Sequence, residues 1–176
     1  MPKENIERAI KRGAGEGEEG KLEYFIFEAF GPGEIVFIIE GSTDNKNRNT
    51  GEIKEILKKY NGKLADPGSI KWLFDQKGII EIEKESIDEN LMLDIIEQGA
   101  EDVEKNKDTF FIYTDPKNIE KMKTFFLEKK IKIISAQPGW KPKNIISPRD
   151  ESYKGLLEEL QNKESVEGVY VNIWLQ

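Results

Sequence analysis

Thr109-Phe-Phe-Ile-Tyr-Thr-Asp-Pro-Lys-Asn-Ile-Glu-Lys-Met-Lys-Thr-Phe-Phe-Leu-Glu-Lys-Lys-Ile-Lys-Ile-Ile-Ser135 holds a strand, a helix start, an amphipathic helix and a second strand in one run. Thr109–Thr114 is β-branched and aromatic, Asp115 caps, and Pro116 pre-sets the first helical turn. Ile119, Met122 and Phe126 then recur at helical spacing, and Ile131–Ser135 returns as a strand. Upstream, Ile79–Glu83 reads as a strand, Ile87, Leu91 and Ile95 mark an acidic helix, and Asp102-Val-Glu104 follows. The order β-α-β-β-α-β is ferredoxin-like.

Flanking this module, Leu22–Phe30 and Glu34–Glu40 form a hairpin about Gly31-Pro-Gly33. Ile53, Ile56, Leu57 and Tyr60 predict a helix closed by Asn61-Gly62. A second hairpin is expected from Ser69–Asp75 to Ile79–Glu83, turning at Gln76-Lys77-Gly78 and placing Trp72 with Ile70 and Phe74 in the core. Tyr153, Leu156, Leu157 and Leu160 mark another helix, and Val166–Trp174 a last strand. At the front, Ile6, Ala9 and Ile10 give a short helix ending at Gly13, followed by an acidic glycine linker. The class is α+β: two small α/β modules with antiparallel or mixed sheets. The pattern permits one module inserted in the other, or two consecutive modules using 109–113, 131–135, 141–146 and 167–174 as strands.

The chain has 176 residues, a formal charge of −7, and neither histidine nor cysteine. Disulfides, Cys/His zinc sites and Ser-His or Cys-His nucleophiles are thereby excluded. No apolar run approaches the roughly 18 residues of a membrane span, and charges interrupt the N-terminus where a signal peptide needs an apolar stretch. A cytoplasmic location and no membrane partner are expected. Gly15-Glu-Gly-Glu-Glu-Gly20 matches G-x-G-x-x-G formally, but it follows a helix, and its glutamates would repel a pyrophosphate. Asp44–Asn49 fails as a calcium loop because Lys46 and Arg48 stand where oxygen ligands are required. No catalytic constellation, metal site, cofactor site or small-molecule substrate site is expected.

Charge is segregated. From Lys46 to Lys63 six bases face two acids, whereas from Glu81 to Asp108 eleven acids face three bases. If Asn47 caps the helix, Arg48 lies in its first turn, where the macrodipole disfavours a cation; a phosphate bound there beside Lys46 would account for it. Candidate nucleic-acid contacts are therefore Lys46, Asn47, Arg48, Lys54 and Lys58, extended by Lys3, Arg8, Lys11 and Arg12 of the first helix. The plain alternative is a solvated polar loop.

Met1-Pro-Lys-Glu-Asn-Ile-Glu-Arg-Ala-Ile-Lys-Arg-Gly13 resembles a signature of the YebC family, which includes the mitochondrial translational activator of cytochrome c oxidase. Phe30-Gly-Pro-Gly33, Thr43-Asp-Asn-Lys-Asn-Arg48, Asn61-Gly-Lys-Leu64, Gly68-Ser-Ile70, Gly99-Ala-Glu-Asp-Val103, Tyr113-Thr-Asp-Pro116 and Val169-Tyr-Val-Asn172 match in the same order. The resemblance implies a non-enzymatic protein whose last domain is inserted into its second. It favours a residual helix and linker at 1–19, a split domain at 20–65 and 138–176, and an inserted ferredoxin-like domain at 66–137. It further implies a nucleic-acid-binding regulator: a ribosome- and rRNA-associated factor relieving stalling, as at proline-rich stretches, or else a DNA-binding transcriptional regulator. An acidic protein-interaction module is a third reading. The family's basic N-terminal helical domain is not represented, Gly41 stands where cysteine is common, and Lys46 where arginine is frequent.

Overall fold

The computed structural model describes residues 21–85 and 87–173. The expected N-terminal helix and Trp174 lie outside them. In chain order the elements are β1 (Glu23–Phe30), β2 (Val36–Thr43), α1 (Lys46–Lys59), β3 (Lys63–Leu64), β4 (Phe74–Glu83), α2 (Glu89–Glu97), β5 (Ala100–Asn106), β6 (Thr109–Thr114), α3 (Ile119–Glu128), β7 (Lys132–Pro142), α4 (Ser152–Gln161) and β8 (Val166–Val171). Short 3-10 turns occupy Lys71–Leu73 and Pro116–Asn118. The fold is α+β, and the described residues form two compact units, 21–74 together with 142–173, and Asp75–Lys141.

The first unit carries a sheet of order β3-β1-β2-β8. β1 and β2 pair antiparallel from Glu23↔Thr43 to Phe30↔Val36, and Gly31 N–H donates to Ile35 O (2.8 Å) to close the hairpin. Alternation sends Phe25, Phe27, Ala29, Phe37 and Ile39 to one face, where they pack with Ile53 and Leu57 of α1 and Tyr153, Leu156 and Leu160 of α4. Helix α1 ends with Asn61 in the left-handed region (φ 58) and Gly62 N–H on Leu57 O (2.7 Å). Gly62 itself is required by proximity, since a Cβ there would lie 2.6 Å from Phe30 O. At Gly41 the carbonyl of Ser165 fills the space a side chain would need: a Cβ would lie 1.9 Å from it.

On the opposite face of this sheet Glu28, only 6% exposed, stands in register with fully buried Ile38. Its carboxylate accepts from the backbone N–H groups of Gly68 (2.5 Å), Ile70 (2.7 Å) and Lys71 (2.7 Å). Residues 65–73 are thereby held as a loop and 3-10 turn, so the expected strand over Ser69–Asp75 does not form. The expected turn at Gln76-Lys77-Gly78 is absent too, because β4 runs unbroken through it. Gly78 is in β4 because α3 crowds it: a Cβ would lie 2.6 Å from Ile119 Cγ1. Trp72, expected in the core, is 64% exposed, whereas its neighbours Ile70 and Phe74 are buried.

The second unit has a sheet of order β5-β6-β4-β7, the ferredoxin-like order. β6 pairs antiparallel with both β4 (Ile80↔Ile112) and β5 (Val103↔Ile112). Its core joins Ile80, Ile82, Phe110 and Ile112 to Leu91 and Ile95 of α2 and to Met122, Phe125 and Phe126 of α3. Asp88 caps α2, accepting from Leu91 N–H (2.7 Å), and Asp115 caps the 3-10 turn that leads into α3, accepting from Lys117 N–H (2.9 Å). β7 continues from Lys132 to Pro142, further than the strand read from Ile131–Ser135, and 141–146 is not a separate strand. Near its end Lys141, with its Nζ 4.0 Å from the Tyr113 ring centroid, pairs with Asp102 and Glu104 of β5.

Burial works against the Glu28 charge, but the three N–H donors, aided by the Lys71 charge, hold its carboxyl below the ordinary value. Glu28→Gln is expected to lower unfolding stability by about 2 kcal/mol in urea titration near neutral pH. A depressed folded-state pKa stabilises fully above the unfolded value of about 4.3 and ceases to do so as pH falls through the folded value. The gap between wild type and Glu28→Gln should therefore close in that acid window.

Candidate nucleic-acid interface

Helix α1 begins two residues earlier than its sequence suggests. Its cap is Asn45, not Asn47: the Asn45 backbone is extended (φ −142, ψ 94), and its Oδ1 accepts from Arg48 N–H at 3.0 Å. Thr43 Oγ1 accepts from Asn45 N–H (3.2 Å), which fixes the entry of the chain from β2. Asn47 thus lies inside the first turn. Arg48 is also there, with no acidic residue beside it within that turn.

Three stripes run along α1, each at spacing i, i+4, i+7, i+11. Asn49, Ile53, Ile56 and Tyr60 face the core; Asn49 is almost wholly buried, with its Oδ1 accepting from Ser165 Oγ (2.6 Å). On a second stripe, Arg48, Glu52, Glu55 and Lys59, ion pairs engage Arg48, Glu52 and Lys59. Arg48 Nη2 is 2.6 Å from Asp44 Oδ1, and its Nε is 3.9 Å from Glu52 Oε1. Glu52 also pairs with Lys163, and Lys59 with Glu159 (2.8 Å), which the Tyr60 hydroxyl reaches as well. The bond from Lys163, with its charge and that of Arg48, holds the Glu52 carboxyl below its usual value, and the Lys59 bond does the same for Glu159.

These pairs correct the argument that Arg48 needs a phosphate to offset the macrodipole. Asp44, immediately ahead of the cap, and Glu52, one turn along, supply the missing negative charge. Arg48 is held by acids, not left facing solvent alone.

The third stripe is open. Asn47, Gly51, Lys54 and Lys58 are exposed, and among the described residues neither lysine is in an ion pair; the same holds for Lys46 at the helix start. Gly51, which sequence reading passed over, stands in the middle of this stripe. Glycine inside a helix costs about 1 kcal/mol relative to alanine, and here no neighbour demands it: a Cβ at Gly51 would meet nothing within 4 Å. The result is a bare segment of helix backbone bordered by two lysines and an amide. Its signal in the sequence is a lone glycine between Asn47 and Lys54 in an otherwise unbroken helical period. Lys3, Arg8, Lys11 and Arg12 lie outside the described residues. Among the described residues no helix is long and apolar enough to cross a membrane.

A family model described as the TACO1/YebC second and third domain matches residues 22–173. A probable transcriptional regulatory protein of Caldanaerobacter subterraneus subsp. tengcongensis is 42% identical over 181 residues, spanning all of this chain and 74% of that protein. One from Dictyoglomus thermophilum is 41% identical over 177 residues, 98% of this chain and 71% of that protein. The crystal structure of a conserved hypothetical protein from Aquifex aeolicus superposes with a TM-score of 0.82 at 36% identity, covering 99% of this chain and 74% of that one.

Because nothing internal uses the glycine, Gly51→Ala is expected to raise stability by about 0.5–1 kcal/mol. Asn45→Ala should lower it by about 1 kcal/mol, and Arg48→Ala, whose pairs are exposed, should move it by less than about 0.5 kcal/mol. Thermal unfolding of the three variants checks all of these.

Proposed function

This chain belongs to the TACO1/YebC family, and from that premise we propose that it is a non-enzymatic, cytoplasmic regulator of gene expression that holds nucleic acid through the open stripe of α1. Its relatives are named as probable transcriptional regulatory proteins, which supports regulation of gene expression as the general role. The observation that carries the finer reading is the partition of cations on one helix. Arg48 and Lys59 are paired with acids, while Lys46, Lys54 and Lys58 remain available around Asn47 and Gly51. Unpaired lysines bind phosphate as point charges, and a glycine between them allows a sugar-phosphate backbone to approach closely.

The target is structured RNA of the ribosome, and the action is positioning that relieves stalling. A chain of net charge −7 binds polyanion only where its charge is locally reversed. Lysines with one asparagine read backbone and shape, which suits A-form RNA, whose deep major groove side chains do not enter. Arg48 joins them when a phosphate outcompetes its exposed carboxylate partners, since such pairs contribute at most about 1 kcal/mol. If their helix is adjacent, Lys3, Arg8, Lys11 and Arg12 extend the same surface. The second reading, a DNA-binding transcriptional regulator, is favoured by the names of the relatives. In that reading Asn47, near the helix start, would contact a base edge. The split unit would be the family's second domain and the inserted unit its third.

Competition between ribosomal subunits and duplex DNA for the chain, at matched salt, separates the readings. Preference for subunits is expected; exclusive, sequence-dependent DNA binding would replace the RNA reading with the DNA one. Lys54→Gln/Lys58→Gln should weaken subunit binding and reduce the steepness of its log affinity against log salt by about 1.4–1.8, two phosphate contacts' worth. An unchanged slope would remove α1 from the interface and favour contact through the acidic surface with a protein.

A further inference from the structure

Among the described residues of the first unit, Trp72 is the largest apolar side chain left in solvent, and it is not loose. Its Nε1–H donates to Ser69 O at 2.8 Å. The turn beneath it is closed by Leu73 N–H on Ile70 O (2.8 Å) and by Ser69 N–H and Oγ on Asp66 O (3.1 and 2.6 Å). Ile70 and Phe74 anchor it on either side in the core, and the Glu28 carboxylate grips the N–H groups of Gly68, Ile70 and Lys71. An indole fixed this firmly gives up little freedom on binding.

With its one donor satisfied internally, the ring offers a partner its π-face and no hydrogen bond. The side chain it suits is therefore recognised by stacking. Two lysines are brought near it by the backbone: Lys71 adjoins it in the turn, and Lys143 is joined to the turn through its own N–H on Leu73 O (2.9 Å). From Lys54 to Trp72 the chain carries Lys54, Lys58, Lys59, Lys63 and Lys71 against Glu55 and Asp66. A flat ligand attached to negative charge fits this combination.

We propose that Trp72 is a stacking platform for an unpaired nucleobase, with Lys71 and Lys143 drawing in the flanking phosphates. The proposal rests on the nucleic-acid reading above and deepens it by naming single-stranded nucleotides as part of the target. Aromatic stacking on bases tolerates any sequence, and its loss by alanine substitution weakens binding by roughly tenfold or more per base.

The probe is a uridylate dodecamer, alongside an abasic ribose-phosphate strand of equal charge and isolated ribosomal RNA, titrated against the full chain with tryptophan emission as one readout. The uridylate strand should quench an emission component that Trp72→Phe lacks. Trp72→Ala should bind it about tenfold more weakly, while Trp72→Phe stays within about threefold of wild type. The abasic strand should bind wild type and Trp72→Ala alike. Unquenched emission with equal uridylate binding by wild type and Trp72→Ala would overturn the platform yet leave the phosphate contacts of α1 standing. Failure to bind either strand or ribosomal RNA would overturn both readings and point to Trp72 as a contact for protein. Matching thermal unfolding of the two Trp72 variants and wild type ensures that a loss of binding reports on the indole.

Discussion

A single carboxylate organises the side of the first sheet that the helices do not cover. Glu28 sits in the middle of β1 among apolar residues, where an unpaired charge would be strongly disfavoured. It is tolerated because three backbone N–H groups from 68–71 converge on it. The dependence runs both ways. Those N–H groups belong to a loop and to the first residue of the 3-10 turn that follows it, and absent the carboxylate they would have no partner in the strand ladder. The path of the chain towards β4, the burial of Ile70 and the outward placement of Trp72 all follow from that arrangement.

Helix α1 shows how a protein of negative overall charge confines its positive charge. Its acids are not spread evenly; they sit on one stripe and in neighbouring segments, where Asp44, Glu52 and Glu159 engage Arg48, Lys163 and Lys59. The adjacent stripe keeps Lys54 and Lys58 apart from them. Counting charges along the chain detects the local excess of bases but not this sorting, because sorting depends on helical phase and on α4 and the segment after it, a hundred positions or more away. The field near Gly51 is therefore more positive than composition suggests, and the field near Arg48 less.

The class of fold was legible wherever periodicity and punctuation agreed. Strand 109–114, the Asp115-Pro116 start and the helical spacing of Ile119, Met122 and Phe126 are local signals, and the structure has each of them. The first hairpin was legible for the same reason. Residues 69–78 were not, because their conformation is decided by distant groups. Glu28 takes the N–H groups that a strand would have used, and Ile119 of α3 requires the glycine that looked like a turn. At the start of α1, three asparagines compete for the cap, and Thr43 selects Asn45 by bonding its N–H. Lysines 46, 54 and 58 were legible as candidates from charge alone, whereas the neutralisation of Arg48 needed coordinates.

The pairing of β2 with β8 gives the first unit an unusual assembly history. Tyr170 of β8 donates to Glu40 of β2 across 130 positions, and the whole of the second unit lies between them. As the chain leaves the ribosome at roughly 5–20 residues per second, β2 emerges many seconds before the strand that completes its edge. Throughout that interval its row of apolar residues, Val36 to Ile39, has an unfilled ladder on one side, an invitation to pair with the wrong strand. The second unit is built from contiguous residues, so the pairings within its sheet do not depend on β8. Until β8 closes the sheet, that edge of β2 is the part of the first unit's ladder most open to mispairing.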